Sequence, residues 1–223
     1  TQGDGSFVLT ELSIYGTLDE GVDIMPRTAR KKSETGIYHI MLRGINKQVL
    51  FEDEEDCEKF LQVLKECRWI SGYKLMAYCL MGNHLHLLMK EEKEELEQIF
   101  KRIGVRYVYW YNFKYKRSGH LFQDRFKSEP INSDGYFLAV LRYIHQNPVK
   151  AGLCNDVSEY KWSSYCDYMN DSGITDIEFG LSLFNKDKKR ATLEFKKYMK
   201  EYDKTSCPNM EQKNLRKKGK YVT

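Results

Sequence analysis

Two histidines one residue apart open the reading. His84 and His86 stand in Gly82-Asn83-His84-Leu85-His86-Leu87-Leu88-Met89, a run with strand composition behind a turn dipeptide. Residues two apart on a strand share a face, so the two imidazoles form a pair of nitrogen donors for one metal ion. Two nitrogens leave most of a six-coordinate shell open. Oxygen donors would have to complete it, which suits Mg²⁺ or Mn²⁺.

About sixty residues on, Ser133-Asp134-Gly135-Tyr136-Phe137-Leu138-Ala139-Val140-Leu141-Arg142-Tyr143-Ile144-His145-Gln146-Asn147-Pro148 reads as an amphipathic helix. Phe137, Val140, Leu141 and Ile144 make its buried stripe. Tyr136, Tyr143 and Asn147 lie on another, with Tyr143 and Asn147 one turn apart. Pro148 disfavours helical geometry at the residue before it, so Asn147 is expected at the very end of the helix. A tyrosine, a histidine-bound metal and an amide are together equipped for phosphodiester chemistry. The phenolate attacks phosphorus, the metal stabilises the departing 3′-oxygen, and a 5′-phosphotyrosine results. Asn147 supplies a further metal-ligating oxygen in that scheme.

The flanking elements must bring the two halves together. Ile37–Arg43 alternates as a strand, and Asp53 caps a helix carrying Cys57, Phe60, Leu61, Leu64 and Cys67 on one side. Tyr73–Leu80 and His84–Met89 form a hairpin around Gly82-Asn83, which sets Leu85, Leu87 and Met89 against one core and the histidines on the other face. Helix is expected over Glu92–Trp110, strand over Phe126–Ile131, and helix again from Asp134. This order, βαββαβ plus a helix, predicts an α+β fold: a ferredoxin-like split βαβ antiparallel sheet with two helices on one face. The added helix would cover the histidines. Further on, Thr175-Asp176-Ile177-Glu178 reads as a capping box, and Asp187–Tyr202 as a second helix of a C-terminal extension.

The 223-residue chain carries a formal charge of only +4, with 41% hydrophobic and 30% charged residues. Its basic residues nevertheless cluster near Arg27, Arg30 and Lys31, near Lys114, Lys116 and Arg117, and from Lys213 to Lys220. Sixteen tyrosines and three tryptophans lie among them; aromatic faces stack on unpaired bases while cations track phosphates, so nucleic acid is the expected partner. No apolar run reaches the ~20 residues of a membrane span, and residues 1–24 lack the features of a signal peptide. The expected location is cytoplasmic, at the nucleoid. The six cysteines include no C-x-x-C, which fits reduced core thiols better than a disulfide or zinc framework.

The string Leu141-Arg142-Tyr143-Ile144-His145-Gln146-Asn147-Pro148-Val149-Lys150-Ala151-Gly152, taken with Gly82-Asn83-His84-Leu85-His86, resembles the HUH single-strand transposases, in particular the REP-associated tyrosine transposase branch. The resemblance covers Gly36 to Tyr168. It implies a metal-dependent single-stranded DNA endonuclease and strand transferase that recognises a short DNA hairpin. By that resemblance His84 and His86 match the metal ligands, Tyr143 the nucleophile, and Asn147 an amide that completes the metal site. Tyr38-His39-Ile40-Met41-Leu42-Arg43-Gly44 and Leu121-Phe122-Gln123-Asp124-Arg125-Phe126-Lys127 also look like family blocks, with Arg43, Arg125 and Lys127 as DNA contacts beside Arg27, Arg30 and Lys31. Relatives include monomers and homodimers with exchanged helices. His39, His120 and His145 are left outside the chemistry, with His145 assigned to packing or a hydrogen bond. The expected organisation is an extension or artificial leader at 1–24, the nuclease domain at 25–168 with a basic N-terminal arm, and a helical, basic extension at 169–223. A hairpin-binding protein without transposition and a hydrolytic metal phosphodiesterase are the competing readings.

Overall fold

The structure, a computed structural model, describes residues 30–201. Four strands, β1 (Ile37–Arg43), β2 (Lys74–Met81), β3 (His84–Lys90) and β4 (Lys127–Pro130), form one antiparallel sheet in the order β2-β3-β1-β4. Helices α1 (Glu54–Ser71) and α2 (Leu96–Lys114) connect them, and α3 (Asp134–Lys150) follows the last strand. The ferredoxin-like α+β arrangement expected from the element order is the one observed.

Alternation along the strands splits the apolar residues into two cores. Tyr38, Ile40 and Leu42 of β1 and Leu85, Leu87 and Met89 of β3 pack with Phe60 and Leu64 of α1 and Ile99, Ile103 and Tyr107 of α2. On the other face, Met76, Cys79 and Leu88 meet Phe137, Val140, Leu141 and Ile144 of α3. That second core also takes residues from three short helices, α4 (Tyr165–Asn170), α5 (Glu178–Ser182) and α6 (Lys188–Lys200). α4 was not foreseen. Its Tyr168 ring stacks on Phe195 of α6 at 4.6 Å, and its hydroxyl donates to the Met76 carbonyl at 2.8 Å.

Three helix starts carry side-chain caps, and one cap expected from the sequence is missing. Asp53 and Asp56 form a reciprocal capping box at α1, Ser133 caps α3, and Asp187 caps α6. Each satisfies backbone N–H groups that would otherwise lack partners in the first turn. The capping box expected at Thr175–Glu178 does not form. Asp176 instead accepts from the Leu75 N–H at 3.0 Å and from Arg68 at 2.7 Å, and Thr175 donates to Asp167. Tertiary partners have taken both side chains, so α5 starts at Glu178 behind Ile177 with no side-chain cap. α2 runs about one turn later than its sequence suggested.

Three of the cysteines, Cys57, Cys67 and Cys79, are buried thiols as expected, whereas Cys154 is half-buried and Cys166 exposed. Among the described residues no helix is long and apolar enough to cross a membrane.

Candidate nicking centre

The hairpin between β2 and β3 fixes the histidine face. Met81 pairs with His84 across the two-residue Gly82-Asn83 connection, and neither residue adopts a positive φ. The turn is therefore not one of the primed types usual for such dipeptides. The β1 end holds it from outside: the Gly82 carbonyl accepts from Leu50 and Phe51, and the Asn83 carbonyl from Gly44. Gly44 is needed there, since a Cβ would collide with the Gln48 carbonyl.

Register then decides what shares the histidine face. Arg43 lies directly opposite His84, and Met41 opposite His86. Across β1, Met41 pairs with Lys127, and His39 with Glu129. Directly opposed residues on an antiparallel pair point to the same side. Arg43, His39, Lys127 and Glu129 therefore join His84 and His86 on one surface.

α3 lays Tyr143 across that surface. The Tyr143 ring meets the His86 ring edge-on, with centroids 5.3 Å apart, and the His39 ring at 5.7 Å. His84 and His86 rings stand perpendicular at 5.3 Å. Tyr143 is 3% exposed and His86 2%, while His84 is half-buried and Arg43 exposed. The centre thus opens at the His84 end. Lys150, exposed on the last turn of α3, holds its Nζ 5.3 Å from the Tyr143 ring centroid and brings a cation to that tyrosine.

The hydrogen bonds of the imidazoles bear on metal binding. His84 Nδ1–H donates to Asn83 Oδ1 at 2.8 Å, and His86 Nδ1 lies 3.0 Å from His39 Nε2. His86 Nε2 is buried and, among the described residues, has no hydrogen-bond partner. Burial first, then the neighbouring His39, His84 and Arg43, push the His86 pKa well below the usual histidine range, so this imidazole is held neutral. A neutral imidazole with a buried, unclaimed nitrogen fits a divalent metal. Among the described residues no group of three or more His, Cys, Asp and Glu side chains converges as a metal cage; protein ligation would rest on the two imidazoles and on amide oxygen.

Asn147 departs from its expected position. α3 runs through Pro148 to Lys150, so Asn147 sits inside the last turns and not at the helix end. The proline removes only one N–H there, and the turn closes behind it through Ala151 N–H to Asn147 O and Leu153 N–H to Pro148 O, both 2.9 Å. Asn147 Nδ2 donates to the Tyr143 carbonyl at 3.0 Å, which ties the amide to the turn that carries the tyrosine. Its Oδ1 is the atom with ligand character.

Of the remaining expected contacts, Arg125 is exposed in the loop before β4 and Lys31 on the segment before β1, neither brought to the histidines by strand register. Arg30 is the first described residue, and Arg27 and the basic run from Lys213 lie outside the described residues. Lys114 is diverted from any phosphate role: its Nζ lies 2.8 Å from each of Asp53, Glu55 and Asp56. Of the aromatic cluster on α2, Tyr107 and Tyr111 are core and Tyr109 is exposed. His145 packs among Tyr165, Tyr168 and Phe195 and bonds Ser164, as expected. His39 is the residue that sequence reasoning left out and the sheet brings in. The alternation of β1 put it opposite Tyr38 and Ile40, but only the β1–β3 register sets it against His86.

Among curated proteins, none matches this chain. A solved REP-associated tyrosine transposase bound to a REP hairpin is similar over 69% of this chain and 96% of that one, at 16% identity and a TM-score of 0.57. A candidate transposase from Deinococcus radiodurans R1 is similar over 54% of this chain and 97% of that one, at 15% identity and a TM-score of 0.39. The first of these shows a shared fold. The family model for IS200-like transposases matches residues 32–147, just over half of the sequence, and takes in β1, the histidine pair, Tyr143 and Asn147. The chain belongs to the IS200-like transposase family.

Proposed function

We propose that this chain is a metal-dependent single-stranded DNA endonuclease and strand transferase that acts at DNA hairpin ends, within the REP-associated tyrosine transposase branch. The observation that carries the reading is Tyr143 packed edge-on against His86 within one chain. The similar solved transposase is bound to a REP hairpin, which supports a hairpin as the substrate.

Tyr143 is the nucleophile. Its phenol loses a proton, Oη bonds to phosphorus as the bond to the 3′-oxygen breaks, and that oxygen takes up a proton and leaves as a hydroxyl. The protein keeps the 5′-phosphate as a tyrosine ester. Because one phosphoester has been exchanged for another, the 3′-hydroxyl of a second strand can attack it, release the phenol and rejoin DNA without a nucleotide cofactor. His84 and His86, with Asn147 Oδ1, are the residues that would hold Mg²⁺ or Mn²⁺; the ion supplies Lewis-acid stabilisation of charge on the phosphate and leaving oxygens. Arg43 and Lys127, on the same sheet face, would hold the flanking backbone phosphates.

The test is incubation of the protein with a labelled hairpin oligonucleotide and Mg²⁺ or Mn²⁺. A protein–DNA adduct that survives denaturation is expected, and Tyr143→Phe abolishes it. Undiminished cleavage by Tyr143→Phe would instead assign a hydrolytic phosphodiesterase, and hairpin binding without an adduct in either metal would assign a binding protein.

A further inference from the structure

The contact between His39 and His86 constrains chemistry as well as packing. A neutral imidazole carries one hydrogen and one lone pair, and the nitrogen that ligates a metal must be the one without the hydrogen. Such a ligand is held in the correct tautomer by the bond its other nitrogen makes. His84 has a carbonyl oxygen for this purpose, Asn83 Oδ1 at 2.8 Å. His86 has another imidazole: its Nδ1 faces His39 Nε2 at 3.0 Å, the rings stacked 26° from parallel with centroids 5.2 Å apart.

Two nitrogens at that distance share a single hydrogen, and two arrangements exist. If His39 Nε2 donates, His86 must carry its own hydrogen on Nε2. That atom is buried and has no hydrogen-bond partner among the described residues, so an N–H would be stranded there and no lone pair would be left for a metal. If His86 Nδ1 donates, His39 carries its hydrogen on its own Nδ1, which is also buried, and His86 Nε2 keeps a lone pair. Burial alone does not choose between the two arrangements. Only the second leaves His86 Nε2 able to ligate, so a metal held there selects it. His39 is 1% exposed, so water does not compete for this bond.

We infer that His39 is a positioning residue for the metal centre: it accepts the Nδ1–H of His86 and thereby fixes the tautomer in which His86 Nε2 is the ligating atom. This rests on the proposed metal role of His84 and His86. Because the His39 ring also lies edge-on to Tyr143 at 5.7 Å, one side chain sets the orientation of the ligand and abuts the nucleophile.

Two readouts on the full chain, neither using turnover, test it. In wild-type protein loaded with Mg²⁺, long-range ¹H–¹⁵N correlation of labelled histidines should show His86 with its hydrogen on Nδ1. A hydrogen on Nε2 overturns the inference. Mn²⁺ affinity, read from the free-ion electron paramagnetic resonance signal, should fall about 10–100-fold in His39→Phe, which keeps a ring but no acceptor. In His39→Gln, whose Oε1 can accept the same hydrogen, affinity should recover to within about threefold of wild type, well short of that loss. Equal losses in the two variants, or none in His39→Phe beside a clear loss in His86→Ala, overturn the inference alone. Wild-type protein that binds Mn²⁺ no better than His86→Ala overturns the metal reading and the inference with it.

Discussion

Arg43 shows what a single register position confers. It ends β1 exposed, directly across from His84, and so stands where a strand entering the open end of the centre would pass. A guanidinium there would add one backbone contact without reading sequence. Arg43→Ala is expected to weaken hairpin binding similarly for every oligonucleotide and to lower the slope of log affinity against log salt by about 0.7–0.9. Fluorescence anisotropy across a salt series measures this. An unchanged slope would remove Arg43 from the DNA path.

At the scale of elements, α3 is the part on which the centre depends, and several contacts hold it in place. Gln146 Nε2 donates to the Met199 carbonyl at 3.0 Å, Arg142 lies over the Tyr198 ring at 3.5 Å, and His145 Nε2 bonds Ser164 Oγ at 2.8 Å. Ser164 in turn receives the Tyr78 N–H at 2.9 Å, which links α3 to the edge of β2. Burial lowers the His145 pKa to about 3. The unfolded chain takes up this proton near pH 6.5 and the folded chain only near pH 3. Stability from this group is therefore complete above about pH 6.5 and falls by roughly 1.4 kcal/mol per pH unit as pH drops towards 3. Urea unfolding between pH 7.5 and 4.5 should show His145→Gln less stable at neutral pH but with a pH slope smaller by about one proton. Parallel slopes would mean that His145 is charged in the native state.

The whole molecule decides which chain supplies the proposed nucleophile. The fold closes α3 over its own sheet, so one chain supplies both the histidines and Tyr143. Action within one chain is the expected consequence. A mixture of Tyr143→Phe and His86→Ala proteins should then form no adduct above the sum of the separate variants. Recovery to about one quarter of the wild-type level, the share expected of randomly mixed dimers that exchange α3, would show that the helices swap between subunits.

The sequence by itself determined what depends on neighbours along the chain. Period-two and period-3.6 patterns, Asp53, Ser133 and Asp187 at helix starts, and the one-residue spacing of His84 and His86 follow from backbone geometry, so the element order and the histidine face were legible. Tertiary structure decided what depends on partners far along the chain. The β1–β3 register made His39 a neighbour of His86 and Arg43 a neighbour of His84. Asp176 left its expected cap for Arg68 and Leu75, and Lys114 was claimed by three carboxylates, the Asp53 cap of α1 and Glu55 and Asp56 in its first turn. Pro148, read locally as a helix stop, was carried inside α3. Local rules set the choices open to each side chain; packing and strand register, which no short window of sequence contains, selected among them.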